Sequence, residues 1–241
     1  AARHAVRIAL SYAEAAVFFP EEKRRLVAVT GNPIRQDLLY PLEQGAREFL
    51  GLEPEVPIVY VTGGSQGASV INETLLDILP TLLEKCQIVH QVGDRNLAEV
   101  TRRASVVLEK TPFAARYKLF PFLNASAIRM VAGASALAVS RAGSAIFEFA
   151  QWGLPVILIP IPESISHDQR TNAFTYARSG GAVVIEQGTL TPSVLKSEIF
   201  RLLDNPELLA TMRAGAKSFA RPDAARQIAT ELLSIVVSHE K

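Results

Sequence analysis

The sequence predicts an α/β fold built on a parallel sheet that helices cover on both faces. From residue 57 onward, short runs rich in Val and Ile alternate with longer segments of helical periodicity, and turn residues separate them. Consecutive parallel strands need a crossover connection, for which a helix is the usual solution. The alternation therefore indicates repeated strand–helix units, and ligands of such folds bind at the carboxyl ends of the strands.

The boundaries of the predicted elements follow from these runs. The predicted strands are Ile58–Thr62, Gln87–Gln91, Tyr117–Phe120, Leu137–Val139, Val156–Ile159 and Val183–Ile185. The predicted helices begin near Ala68, Asn96, Ala125, Ser144, Gln169 and Pro192. From Asp204 onward the sequence is helical, with breaks at Asn205-Pro206 and at Arg221-Pro222.

Length and composition indicate one substantial globular core. The 241 residues are 49% apolar, and 25 lysines and arginines nearly balance 24 aspartates and glutamates. This balance gives no overall preference for nucleic acid, so no nucleic-acid partner is expected. The single cysteine, Cys86, excludes an internal disulfide and fits the role of a small hydrophobe. No apolar run reaches the ~20 residues that a membrane-spanning helix requires.

The first forty residues follow a different pattern. They contain a partly helical opening, a predicted strand at Leu26–Val29 and the turn-forming segment Thr30–Arg35. The chain begins without an initiator methionine or the apolar core of a signal peptide. We therefore expect three parts: residues 1–40, the remnant of a preceding domain and its linker; residues 41–221, a ligand-binding domain; and residues 222–241, a helix that packs back toward the preceding domain. The apolar face of that helix, with Ile228, Leu232 and Ile235, is expected to be exposed.

A glycine-rich segment follows the first predicted strand of the main domain. Residues 61–68 read Val-Thr-Gly-Gly-Ser-Gln-Gly-Ala and lead into a predicted helix. Glycines let the main chain approach a ligand closely, and the amino end of a helix favours phosphate oxygens. The pattern predicts an anion site at Gly64, Ser65 and Gln66, and the alternative is a tight turn without a ligand. It has neither the Lys-Ser/Thr ending of a P-loop nor the spacing of the dinucleotide fingerprint.

Two further polar segments follow later strands. The segment Ser140–Ser144 opens a helix that contains Glu148, whose carboxylate can accept hydrogen bonds from both ribose hydroxyls of a nucleotide. The alternative is a surface carboxylate that complements the helix dipole. Farther along, Gln169 and Asn172 share a helix face and can present amides to sugar hydroxyls, with Asp168 as the cap. Here the alternative is an ordinary polar helix start. All three segments are expected at one edge of the sheet.

No general base, metal or cofactor is expected in this chain. His90 ends a predicted strand at the ligand edge, where a structural role is favoured over a place in the cleft, and His167 fits a loop position. No cluster of His, Asp and Glu has the spacing of metal ligands.

These segments, in this order, resemble a known enzyme family. The similar segments are Gly63–Ala68 with Asn72, the linker Thr30-Gly31-Asn32-Pro33-Ile34-Arg35, the run Ser140–Gly143 and the run Asp168–Ala173. They resemble the MurG family of peptidoglycan N-acetylglucosaminyltransferases, in glycosyltransferase family 28. The resemblance covers nearly the whole chain. It implies the GT-B fold of two Rossmann-like domains, of which this chain would be the carboxyl-terminal, nucleotide-sugar-binding half.

The resemblance also assigns parts of UDP-N-acetylglucosamine to residues at the ligand edge. Gly143 and Ser144 would approach the diphosphate or the sugar, and Arg170 stands where the family more usually has an uncharged residue. The spacing from Gly143 to Glu148 is one residue shorter than expected for the family. Arg35 would reach across to the ligand from the linker. The other implied contacts are Gly64, Ser65 and Gln66 to the diphosphate, the backbone of Phe122 and Leu123 to uracil, Glu148 to the ribose, and Gln169 and Arg170 to the N-acetylglucosamine hydroxyls.

The implied function is an inverting hexosyl transfer in cell-wall synthesis, with a place in cell shape and division. N-Acetylglucosamine would pass from UDP-N-acetylglucosamine to an undecaprenyl-pyrophosphoryl-muramyl-peptide. The missing amino-terminal domain would bind that acceptor, so this chain would have no catalytic residue and be inactive alone. The full enzyme would associate peripherally with the cytoplasmic face of the bacterial plasma membrane. The alternatives are a subunit of a split transferase, a UDP-N-acetylglucosamine 2-epimerase of the same architecture, and an inactive sensor homologue.

Overall fold

The central feature of the computed structural model is a six-stranded, fully parallel sheet. The structure describes residues 4–64, 68–165 and 167–239, without the side chains of residues 167, 168, 238 and 239. The strands are β1 (Ile8–Leu10), β2 (Val27–Val29), β3 (Ile58–Thr62), β4 (Gln87–Gln91), β5 (Tyr117–Phe120), β6 (Leu137–Ser140), β7 (Val156–Leu158) and β8 (Ala182–Val184). The large sheet has the order β5-β4-β3-β6-β7-β8, while β1 and β2 form a separate parallel pair.

Helices occupy both faces of the large sheet. The α-helices are α1 (Glu21–Arg24), α2 (Ala46–Leu50), α3 (Ser69–Lys85), α4 (Leu97–Leu108), α5 (Ala125–Ala134), α6 (Ala145–Trp152), α7 (His167–Ala177), α8 (Pro192–Leu203), α9 (Pro206–Phe219) and α10 (Ala224–His239). Short 3-10 helices span Ala13–Phe18, Gln36–Leu38, Asp94–Asn96, Ala114–Arg116 and Gln187–Thr189. One apolar cluster joins α5, α6 and α7 to the sheet, and a second joins α3, α4 and α8 to its other face.

Alternating side chains of each strand enter the two clusters. In β3, Ile58 and Tyr60 pack on the α5–α6 face, whereas Val59 and Val61 pack on the α3 face. All four are buried, as expected for a strand in the middle of a parallel sheet covered on both sides. Cys86 is fully buried in the second cluster, which confirms its predicted role as a small hydrophobe. The predicted α/β class, with helices on both faces, is therefore confirmed.

Most predicted boundaries agree with the structure to within one residue. The predicted bounds of β3, β4 and β5 are confirmed, and the predictions for β2, β6, β7 and β8 were each off by one residue at one or both ends. The helix predicted near Gln169 begins two residues earlier, at His167. The opening contains the predicted helical turns, at Ala13–Phe18 and Glu21–Arg24, but the strand Ile8–Leu10 was not predicted.

The helix α10 lies beside the two-stranded sheet. It begins at Ala224, two residues after the predicted start. A groove lined by β1, β2 and α10 contains Ile228 and Ile235, which are partly covered, and the Arg7 Nε to Glu231 Oε1 distance across it is 2.6 Å. Leu232 keeps 59% of its surface exposed. The apolar face that was expected to be exposed is thus partly covered by the first forty residues. In the described part of the chain no helix is long and apolar enough to cross a membrane.

Candidate functional site

The candidate site is the edge of the large sheet at which its strands end. Because all six strands are parallel, the loops that follow β3, β5, β6 and β7 emerge at this one edge. The predicted site residues lie in these loops, in the helices that follow them and in the linker before β3. We call this region the ligand edge.

Gly64 turns the chain after β3. Its φ of +81° lies in the left-handed region, which favours glycine, and its N–H donates to Thr62 Oγ1 at 3.1 Å. A Cβ at Gly64 would meet no atom of the described residues within 4 Å. The next helix, α3, begins at Ser69 after the N-cap residue Ala68, whose side chain makes no cap hydrogen bond. Ala68 therefore leaves the first amides of α3 to another acceptor, a role that an anion can take. Ser65 and Gln66 lie outside the described residues.

The loop after β6 leads into α6 in a similar way. Ser144 occupies the N-cap position, is exposed, and makes no side-chain cap hydrogen bond. Gly143 precedes it without crowding. The neighbouring Arg141 has a structural role, because its Nη1 donates to the carbonyl oxygen of Ile159 at 2.9 Å and joins the loops after β6 and β7. Burial lowers the pKa of this guanidinium.

Glu148 lies in the first turn of α6 and is half-buried. Burial raises the pKa of its carboxyl group, the nearby Arg35 charge opposes that shift, and Asp37 reinforces it. Glu148 makes no hydrogen bond to any residue that the structure describes. A half-buried carboxylate without a hydrogen-bond partner is costly, and a ligand that donates hydrogen bonds removes that cost.

The linker that carries Arg35 is anchored to α5 and α6, and the Arg35 charge acts on the Glu148 carboxyl group. Trp152 Nε1 donates to the carbonyl oxygen of Leu38 at 2.6 Å, and Arg129 Nε donates to that of Tyr40 at 2.7 Å. Arg35 itself is exposed, with its Nε 3.8 Å from Asp37 Oδ1. The structure therefore brings Arg35 to the neighbourhood of Glu148, although the two residues are far apart in the sequence.

The first two turns of α7 contribute amide side chains to the ligand edge. Gln169 Oε1 accepts from the Ile161 N–H at 3.2 Å, which leaves its Nε2 available. Asn172 is engaged at both ends of its amide: Nδ2 donates to the Ala142 carbonyl oxygen at 3.1 Å, and Oδ1 accepts from the Tyr12 hydroxyl. Asn172 thus holds two segments together, whereas Gln169 Nε2 makes no hydrogen bond to a described residue.

Arg170 is not a free cation. Its Nη2 lies 3.0 Å from Glu186 Oε1, its Nη1 lies 3.6 Å from Glu163 Oε1, and its guanidinium carbon lies 5.0 Å from the centre of the Phe174 ring. Glu163 and Glu186 thus form ion pairs with Arg170, whose charge is unusual for the family at this position. Arg170 therefore stabilises the loop after β7 and the start of α7.

The loop after β5 has one exposed and one buried apolar residue. Phe122 keeps 56% of its surface exposed, whereas Leu123 is 2% exposed and belongs to the core. Next to it, the Gly93 N–H donates to the carbonyl oxygen of Pro121 at 3.0 Å. This bond ties the loop after β4 to the loop after β5.

His90 belongs to a buried hydrogen-bond network, which supports the structural role favoured by the sequence. Asn72 Nδ2 donates to the Val92 carbonyl oxygen at 3.4 Å, so Asn72 Oδ1 is the acceptor for His90 Nε2 at 3.0 Å. His90 Nδ1 then accepts from the Tyr117 hydroxyl at 2.8 Å. Burial lowers the pKa of His90 to about 3 and keeps the ring neutral.

The sequence reasoning missed the neighbouring residue, Gln91. Successive side chains of a strand point to opposite faces, so His90 meets α3 while Gln91 lies on the α5–α6 face, where Tyr60 Oη donates to its Oε1 at 2.9 Å. The Glu148 charge acts on Tyr60 across the same face. The alternation of side chains along β4 was the signal that could have distinguished Gln91 from His90.

The described residues contain no group of three or more His, Cys, Asp or Glu placed to hold a metal ion.

Comparison with known proteins agrees with this architecture. Residues 58–228 match the family description "Glycosyltransferase family 28 C-terminal domain". A relative from Mesorhizobium japonicum, named UDP-N-acetylglucosamine–N-acetylmuramyl-(pentapeptide) pyrophosphoryl-undecaprenol N-acetylglucosamine transferase, is 38% identical over 204 residues, which is 83% of this chain and 52% of that protein. The crystal structure of Acinetobacter baumannii MurG superposes with a TM-score of 0.65 at 25% identity, covering 90% of this chain and 58% of that one.

A similar fold occurs in a second class of enzyme. A crystal structure of a UDP-N-acetylglucosamine 2-epimerase has a TM-score of 0.58 at 16% identity and covers 90% of this chain and 53% of that one, which is a likeness of fold alone. The chain spans about half the length of the curated relatives that it matches.

The parallel sheet and its edge of glycine and amide loops define the Rossmann-like carboxyl-terminal half of a GT-B glycosyltransferase. The match over residues 58–228 makes the assignment more specific. The chain belongs to glycosyltransferase family 28 and contains the carboxyl-terminal domain of that family.

Proposed function

We propose that this chain supplies the UDP-N-acetylglucosamine site of an inverting N-acetylglucosaminyltransferase of peptidoglycan synthesis. The acceptor is a muramyl-peptide linked to undecaprenyl pyrophosphate, the substrate in the names of the curated relatives. Its hydroxyl attacks the anomeric carbon, the bond from that carbon to the diphosphate oxygen breaks, and UDP leaves. We assign acceptor binding and proton removal to the remaining half of the relatives' length.

The proposed contacts follow the order of the strands. The amides before α3 and α6, with Arg35, bind the diphosphate and stabilise the negative charge that grows on it as the sugar departs. The backbone at Phe122 and Leu123 binds uracil. Gln169 Nε2 donates to a hydroxyl of the N-acetylglucosamine, whereas Arg170 acts on the sugar site only through the loop that it stabilises. Ser65 and Gln66 complete the diphosphate site, and Gly64, Gly143 and Ser144 let the ligand approach.

The observation that carries the proposal is Glu148. Its carboxylate is half-buried, has no hydrogen-bond partner among the described residues and has a raised pKa, so it is suited to accept hydrogen bonds from the two ribose hydroxyls. The alternative role, complementing the helix dipole, needs only an exposed carboxylate. Burial of Glu148 therefore favours the ribose contact.

Glu148→Ala tests this assignment. We expect about a tenfold to hundredfold weaker affinity for UDP, because hydrogen bonds to a charged group contribute about 1.5–3 kcal/mol. Stability should not fall in Glu148→Gln, since the buried carboxylate destabilises the fold once the pH rises through its raised pKa, and the amide removes that cost. Calorimetry and urea unfolding measure the two quantities.

The matched control is Glu207→Ala, which removes an exposed glutamate from the first turn of α9, away from the ligand edge. It changes the helix-dipole interaction alone and should leave UDP affinity unchanged. Equal affinity in Glu148→Ala and the unaltered chain would reject the ribose contact.

We further propose that residues 1–40 and 222–241 belong structurally to the interface with the other half of the enzyme, and that residues 41–221 are the nucleotide-sugar-binding domain. The separate β1–β2 sheet and its contact with α10 support this division.

Because the proposed acceptor is a lipid, the full enzyme associates peripherally with the cytoplasmic face of the plasma membrane. Flotation of the full-length protein with liposomes tests that location, and a protein that stays with the soluble fraction would contradict it.

A further inference from the structure

Gln91 is a buried amide whose donor end is unused. Only 5% of its surface is exposed, and its single hydrogen bond in the described part of the chain is the one that Oε1 accepts from Tyr60 Oη at 2.9 Å. Its Nε2 has no partner there. Among the described residues, the buried side-chain nitrogen and oxygen atoms without a partner are Ser135 Oγ and Tyr176 Oη, so Gln91 Nε2 is not sealed in the core and still reaches the solvent. A donor of a nearly buried side chain that faces solvent without a protein partner is available to a ligand.

A second glutamine on the same strand shows how this sheet satisfies a buried amide that has only a structural role. Gln87, at the opposite end of β4, is 1% exposed. Its Oε1 accepts from Glu53 N at 2.7 Å, and its Nε2 donates to the carbonyl oxygens of Glu53 at 3.0 Å and Val56 at 3.1 Å. The two glutamines are four residues apart on one face of the strand, and only the one at the ligand edge keeps its donors free.

The position of Gln91 restricts what can meet its Nε2. It is the last residue of β4 and lies in register between Thr62 and Phe120, the last residues of the two adjoining strands. Beyond it are the loops of the ligand edge. Tyr60, which stays protonated because burial raises its pKa, donates to Oε1 and holds the amide so that only N–H groups are presented there.

We propose that Gln91 is a further donor-site residue, whose Nε2 donates a hydrogen bond to an acceptor oxygen on the nucleoside of the nucleotide sugar, with Tyr60 as its positioning residue. This inference rests on the proposed function. The nucleoside is the part of the ligand on this side, since β4 adjoins the loop at Phe122 and Leu123, whereas Gln169 follows β7 on the other side of β3. The acceptor is a carbonyl oxygen of the base or a hydroxyl oxygen of the ribose.

The test is the dissociation constant of UDP for the full chain with Gln91→Met, which keeps the length of the side chain and removes both polar groups. We expect about tenfold weaker binding, the usual effect of losing one hydrogen bond from a buried site. Gln87→Met is the matched control: it removes a better-bonded amide at the far end of the strand, so it should lower the unfolding midpoint and leave the dissociation constant unchanged. Comparing UDP with 2′-deoxy-UDP and 3′-deoxy-UDP separates the acceptors, because a loss of affinity with all three ligands indicates the base, whereas a loss that disappears with one deoxynucleotide indicates the hydroxyl which that ligand lacks.

A second variant gives a readout that a purely structural role would not produce. Gln91→Glu keeps an oxygen for Tyr60 and replaces the donor with a carboxyl group, which donates only when protonated. Relative to the unaltered chain, its UDP affinity should improve as the pH is lowered, whereas that of Gln91→Met should not. Unchanged UDP affinity in both variants would overturn the inference while leaving the proposed function intact. Failure of the unaltered chain to bind UDP would overturn both.

Discussion

Replacing Gly133 by alanine is expected to destabilise the fold by about 2–4 kcal/mol, because an overlap with backbone atoms cannot be relieved by side-chain rotation. Gly133 lies near the end of α5. A methyl group there would overlap the carbonyl group of Leu42 and lie 2.8 Å from the nitrogen of Glu43. Alanine is intrinsically better than glycine in a helix by about 1 kcal/mol, which is smaller than the cost of displacing the linker.

The same contact anchors the linker that carries Arg35. Leu42 N donates to the Arg129 carbonyl oxygen at 2.9 Å, so displacement of this segment breaks a hydrogen bond to α5. Gly188→Ala is the control, because a Cβ at Gly188 would meet nothing within 4 Å. Urea unfolding of the two variants measures the difference. Equal stabilities would mean that the linker does not pack on α5 as described.

Acidification is expected to destabilise the chain strongly through His90. Its pKa in the folded chain is about 3, below the ordinary value of 6.5. Above pH 6.5 the His90 ring is neutral in both the folded and the unfolded chain. Below pH 6.5 the ring is protonated in the unfolded chain and stays neutral in the folded chain. The free energy of unfolding should therefore fall by about 1.4 kcal/mol per pH unit from this residue alone as the pH drops from 6.5 toward 3.

His90→Gln isolates this effect from that of the carboxylates. The variant loses stability at pH 7, because the network with Asn72 and Tyr117 is disturbed, but its stability should depend less steeply on pH. His4→Gln, at an exposed position, should keep the slope of the unaltered chain. Urea unfolding at a series of pH values gives all three slopes, and the same slope for His90→Gln as for the unaltered chain would contradict the buried neutral ring.

The sequence predicted the large sheet well because its strands carry local signals. Each of Ile58–Thr62, Gln87–Gln91 and Tyr117–Phe120 is a short apolar run bounded by turns or helical periodicity, and these bounds were confirmed. Ile8–Leu10 lacked such a signal. It is three residues long and exists through its pairing with Val27–Val29, which is nonlocal in the sequence.

The ligand edge was predictable in outline for a similar reason. The parallel sheet brings the segments at Gly64, Gly143 and Gln169 to one edge, as the strand pattern predicted. The sequence carried no comparable local signal for the hydrogen-bond partners of the side chains at this edge. Asn172 and Arg170 looked free in the sequence but are held by residues distant along the chain, such as Tyr12 and Glu186.

Titration of the unaltered chain with UDP-N-acetylglucosamine tests whether these residues form a nucleotide-sugar site. Calorimetry with UDP-glucose and ADP-glucose as competitors measures both affinity and selectivity for the base. We expect saturable binding at one site, competition by UDP-glucose and little competition by ADP-glucose. Binding of none of the three, or equal competition by the two glucose nucleotides, would contradict the assignment of the uridine diphosphate site to these residues.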